Sequence, residues 1–153
     1  MYGEGPLGHL NVHWLAPSGV PPVFSPTRAD DEGTTYPDLW PRLRGLPALT
    51  IPHRPANHSN RACPRDHCGP ETMPVLEIFQ EYRGSDEFAD GPTRKAFPEA
   101  DEPGHRVRDT FDRGLRIGCI ADSAHHGVTL GGLYVGRLDG DGVLEALNAR
   151  RTF

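Results

Sequence analysis

The chain carries short apolar runs at residues 46–51, 74–79, 115–121 and 132–136, each too brief for a core helix and each cut off by proline, glycine or a polar cluster. Runs of this length, rich in Leu, Ile and Val, read as buried strands. Residues 9–15 alternate polar and apolar side chains and read as a half-buried strand. Helices are predicted at residues 37–45, with Gly45 as the stop and Pro41 in the first turn, at residues 106–113, with Gly114 as the stop, and at residues 140–151. The last of these sets Val143, Leu144 and Leu147 on one face. Strand and helix therefore alternate, which predicts an α/β sheet with parallel strands. Functional groups would then collect at the C-terminal strand ends and in the loops that follow. With 153 residues, the whole of 1–153 fits one domain or part of one.

Composition explains what lies between the runs. With 18 Gly, 16 Pro and only 36% hydrophobic residues, the stretches 16–33, 54–72 and 84–103 read as irregular loops. The formal net charge is −5 and the Lys and Arg residues are scattered singly or in pairs, so there is no basic stripe for a phosphodiester backbone and nucleic acid is not an expected partner. No apolar run approaches the roughly 20 residues of a membrane helix, and no basic-then-apolar leader follows Met1, so neither membrane insertion nor secretion is expected. Three cysteines, Cys63, Cys68 and Cys119, are an odd number and argue against a disulfide framework, so a reducing, cytoplasmic setting is expected. Eight histidines in a chain of this length point instead to metal ligation or proton transfer.

The candidate chemistry sits at three strand ends. His53 follows the first buried run, Glu77 lies inside the second, and Asp122-Ser123-Ala124-His125-His126 follows the third. On parallel neighbouring strands these would converge, and imidazole with carboxylate suits zinc, iron or manganese. Each residue also has a plainer reading. His53 could be a solvent-facing loop residue, Asp122 a helix N-cap, and Glu77 could point outward, since a six-residue run does not say which face is buried. Cys63, His67 and Cys68 form half of a possible structural zinc knuckle, with no second cysteine pair to complete it. No phosphate-binding glycine loop with its lysine and no Gly-x-Ser-x-Gly nucleophile elbow is present.

Four blocks occur in the order found in a branch of the PHP (polymerase and histidinol phosphatase) superfamily. Leu49-Thr50-Ile51-Pro52-His53-Arg54-Pro55 resembles that branch's Ile-Pro-His-His-Pro segment. Val75-Leu76-Glu77-Ile78-Phe79, followed by Gly84-Ser85-Asp86-Glu87, is similar to its Val-Glu-Ile-Tyr and Gly-Ser-Ser-Glu stretch. Gly114-Leu115-Arg116-Ile117-Gly118-Cys119-Ile120-Ala121 resembles its Gly-Tyr-Arg-Ile-Gly-Phe-Ile-Ala strand, and Leu144-Glu145-Ala146-Leu147-Asn148-Ala149-Arg150-Arg151-Thr152 resembles its closing helix. The resemblance implies a distorted (βα)7 barrel, here a partial one lacking its N-terminal strands. It implies divalent metal ions that activate water to hydrolyse a small phosphoester substrate, with His53 and His126 as metal ligands; Asp122 is a candidate third ligand by a local shift, and Glu77 lies nearby in the metal site.

The sequence departs from that pattern twice. The opening His-x-His motif has no counterpart, since His9 and His13 are spaced differently, and Ala124 stands where an aspartate ligand is usual, two residues before His126. The expectation is a C-terminal portion of such a domain, read as an internal piece of a longer protein. The rival expectation is a non-catalytic remnant or interaction module on the same fold.

Overall fold

The computed structural model describes residues 9–15, 36–53, 70–71, 73–81, 84–85, 87, 104, 106–123 and 128–153. In chain order the elements are β1 (His9–Trp14), α1 (Tyr36–Leu43), β2 (Ala48–His53), β3 (Val75–Gln80), β4 (Gly84–Ser85), α2 (Val107–Asp112), β5 (Gly118–Asp122) and α3 (Gly140–Asn148). The strands form a two-stranded sheet, β1-β2, and a three-stranded sheet in the order β4-β3-β5. Pairing is mixed. β3 and β5 run parallel, as the strand and helix alternation predicts, whereas β1 and β2 are antiparallel, with His9 opposite His53 and Trp14 opposite Ala48.

Each sheet has an outer face covered by a helix. Leu10 on β1 packs with Leu39 and Leu43 of α1 and with Met73, and Val12, Trp14, Trp40 and Ala48 surround them. Trp40 also donates its indole N–H to the hydroxyl of Thr50, 3.3 Å away. On the other sheet, Leu76 packs with Val107 of α2 and Ile117, flanked by Ile78, Leu115 and Cys119. Alternation along each strand then turns Leu49 and Ile51 of β2 and Val75 of β3 to a shared inner cluster closed by Leu147 of α3. Each fully buried aliphatic side chain contributes about 1.5–3 kcal/mol, so these three clusters fix the strands whose ends carry the polar residues.

Local chemistry sets the helix limits. α1 contains Pro41 in its second turn rather than its first, where the ring cannot donate to the preceding turn. It stops at Gly45, whose φ of +78° is the left-handed conformation glycine tolerates. α2 begins where the backbone N–H of Arg106 donates to the Asp109 carboxylate at 3.0 Å, and ends at Gly114, also with φ +78°. α3 is capped by Asp139, whose carboxylate accepts from the Gly142 N–H at 2.7 Å, and it ends at Asn148, earlier than the sequence pattern suggests.

The expected strand at residues 132–136 reduces to one bridge, Leu133 opposite Thr152, with Gly132 and Phe153 exchanging backbone hydrogen bonds and the Tyr134 and Phe153 rings 4.8 Å apart. This closing segment also crosses the start of β5. A methyl group at Gly118 would meet the Thr152 hydroxyl at 3.0 Å and Val75 at 3.1 Å, so glycine is what lets the chain pass there. Among the described residues no helix is long and apolar enough to cross a membrane.

Candidate metal centre

Three strands deliver the site. His53 is the last residue of β2, part of the strand rather than of a following loop, and Asp122 is the last residue of β5. Glu77 lies within β3 and faces inward, with 2% of its surface exposed, which removes the outward-facing reading. A carboxylate this deeply buried is costly unless donors or a cation meet it. His53, itself 5% exposed, meets it through Nδ1, 2.8 Å from Glu77 Oε2.

A third side chain completes the arrangement. The amide nitrogen of Gln80 lies 3.2 Å from His53 Nε2 and donates to Glu77 Oε1 at 3.2 Å. An amide nitrogen has only N–H to offer, so Nε2 of a neutral His53 is the accepting nitrogen and Nδ1 carries the hydrogen given to Glu77. Both nitrogens of His53, both oxygens of Glu77 and both N–H groups of Gln80 are thereby engaged.

Gln80 reaches this face because β3 is irregular. Glu77 is opposite Ile120 on β5, but Phe79 is opposite Ala121 and Gln80 opposite Asp122, with the register shifted between Glu77 and Phe79. A regular strand would have set Phe79 across from Asp122. The extra residue, a β-bulge, turns Gln80 to the face of Glu77 and so substitutes an amide for an aromatic ring at the site. Neither a glycine nor a proline marks the bulge, so strand alternation read from the sequence misses Gln80.

Asp122 accepts the backbone N–H of Ser123 at 2.6 Å through Oδ1. One ligand atom from each of His53, Glu77 and Asp122 can be chosen so that all lie within 4.8 Å of one another. Around a tetrahedral ion with bonds of about 2.1 Å, donors stand about 3.4 Å apart, so separations of up to 4.8 Å need a contraction of at most about 1.4 Å to close on a cation. One imidazole and two carboxylates are a donor set for zinc, iron or manganese, and in chemistry and proximity the residues fit such an ion. His126 and Ala124 lie outside the described residues, as do Cys63, His67 and Cys68.

Beside the site is a cavity of about 220 Å³ lined by Asn11, His13, Ile51, Glu77, Ile120, Ala121, Asp122 and Leu147. Asn11 and His13 come from β1, where a spacing of two keeps them on one face. His13 retains contact with solvent, yet partial burial lowers its pKa from the ordinary value, opposed by the nearby Asp122 carboxylate. Its role at the cavity is a second feature that spacing alone did not reveal. Cys119 packs with the outer cluster instead, and burial, with Glu87 adding to it, raises its thiol pKa, so it is a poor nucleophile or ligand.

Neither a family model, nor a curated protein, nor a solved structure matches this chain, so the site's chemistry has to be argued from its own residues.

Proposed function

We propose that the chain is the C-terminal part of a PHP-type hydrolase domain, a partial distorted (βα)7 barrel. It would hold a divalent cation, zinc, iron or manganese, and cleave a small phosphoester. The observation that carries this reading is the convergence of His53, Glu77 and Asp122 from three separate strands. Its ordered sequence blocks supply the family; the geometry supplies the donor set. His126 would join the ligands from the segment after β5. A bound divalent cation supplies Lewis acidity toward a phosphoryl oxygen and lowers the pKa of water.

The chain's own residues would do the rest. Glu77 holds the His53 ring in one orientation through Nδ1. The adjacent cavity offers Asn11 as a hydrogen-bonding group and His13, its pKa lowered by burial, as a neutral proton acceptor close to neutral pH. A reducing, cytoplasmic setting belongs to the same reading and rests on the odd cysteine count.

The self-satisfied trio of His53, Glu77 and Gln80 favours a second reading. These groups need no ion to compensate their burial, as expected of a non-catalytic remnant. Elemental analysis separates the two. Near-stoichiometric metal in the purified chain, lost in a His53→Ala, Asp122→Ala variant, is the expected result. Metal retained by that variant, or absent from both proteins, overturns the hydrolase reading. Ala124→Asp, which restores the missing carboxylate, is expected to tighten metal binding on the hydrolase reading and to change nothing on the remnant reading.

A further inference from the structure

We infer that Gln80 is a positioning residue that competes with a cation for Nε2 of His53, so that a metal ion enters only as the Gln80 amide swings away. This rests on the metal-site reading above and deepens it. A metal ion and a hydrogen-bond donor use the same imidazole lone pair, and at Nε2 that lone pair faces the Gln80 amide 3.2 Å away. The two occupancies are mutually exclusive.

The other ring nitrogen is the harder one to release. Its 2.8 Å contact to Glu77 is shorter and involves a carboxylate, whereas the contact to Gln80 is longer and joins two uncharged groups. Gln80 also has a pivot, since its second N–H stays on Glu77 Oε1, 3.2 Å away, while the first leaves the imidazole. The ring would then be held by Glu77 at Nδ1 and present Nε2 to the ion. Glu77 therefore orients His53 before it contributes anything to the cation directly. The bulge in β3 is what makes the competition possible, because it brings Gln80 rather than Phe79 opposite Asp122.

The decisive experiment titrates zinc alone, against a chromophoric chelator, into the chelator-stripped chain and its Gln80→Ala, Gln80→Leu and His53→Ala variants. Both Gln80 variants are expected to bind zinc about tenfold more tightly, the worth of one hydrogen bond, and His53→Ala is expected to lose it. Zinc binding that is unchanged or weaker in both Gln80 variants, yet lost in His53→Ala, overturns the competition and leaves the metal site standing. Zinc bound by none of the proteins overturns both.

A second readout takes its deciding observation from the unmodified chain rather than from an affinity difference between variants. Imidazole nitrogen NMR of the stripped, unmodified chain, with His53 assigned by the resonance missing from His53→Ala, is expected to show an Nδ1–H tautomer with a hydrogen-bonded Nε2. In Gln80→Ala the Nε2 signal is expected to move toward that of an unbonded nitrogen. An Nε2–H tautomer in the unmodified chain overturns the proposal.

Discussion

On its outer face β3 sets Leu76 and Ile78 against Val107 and Ile117 beneath α2; on its inner face Val75 is followed by Glu77 and, past the bulge, Gln80. The outer face is held by non-directional burial, which degrades gradually as area is lost. The inner face is held by groups that satisfy one another, so removing one strands the others. One strand therefore combines a tolerant support with an intolerant site, and the difference can be measured.

The largest effect is expected from Glu77→Ala, which leaves the Nδ1–H of His53 and a Gln80 N–H without their acceptor in a buried setting. A loss of about 2–6 kcal/mol is expected by urea denaturation, from about 1–3 kcal/mol for each donor left unsatisfied. Changing His53, Glu77 and Gln80 together to apolar residues of similar size should cost less than Glu77→Ala alone, since nothing polar is then left unmatched. A triple variant less stable than the single one would break the comparison between the faces.

Leu76→Ala on the outer face is expected to cost about 3 kcal/mol, in the range of buried leucine truncations, and to leave zinc affinity within about twofold. A large change in affinity would mean that the faces are coupled. A smaller effect is expected at the end of α2, where Gly114 has φ +78° with no atom near enough to clash with an added methyl group. Gly114→Ala then reports backbone strain alone, about 1 kcal/mol by thermal denaturation.

The smallest effect concerns His13. Burial lowers its pKa below 6.5, the ordinary value, with Asp122 opposing. The unfolded chain therefore binds more protons than the folded one as the pH falls through about 6.5 toward the lower folded value. The stabilising contribution of the neutral ring is present above that window and lost below it. Stability should rise with pH from the lowered folded value up to about 6.5, and His13→Gln should make that rise shallower. An unchanged slope would show that the β1 side of the cavity is not desolvated.

Much of this arrangement was legible in the sequence. Short apolar runs with polar ends located His53 and Asp122, because a buried strand must be apolar until it leaves the core, and Glu77 stood out as a charge inside such a run. The glycine stop after α2 and the apolar face of α3 were equally plain. Partner direction was not, since the alternation of residues 9–15 is the same whether β1 pairs parallel or antiparallel, and only the register of His9 with His53 decides it. Gln80 escaped for a sharper reason. Period-two reasoning assigns it to the opposite face from Glu77, and the bulge reverses that parity without any marker residue. The run at 132–136 was overcalled because its apolar residues find a single bridge partner, Thr152, rather than a strand.

The extra residue between Glu77 and Gln80 also governs how this chain lines up with others. A protein with a regular strand in this place would carry its amide two residues after the acid, not three. A gap-free superposition of the two sequences would then set that amide against Phe79 and count a matched pair of groups as two substitutions. Divergence at such a site is partly an artefact of counting, and it disappears once a single-residue insertion is allowed inside the strand.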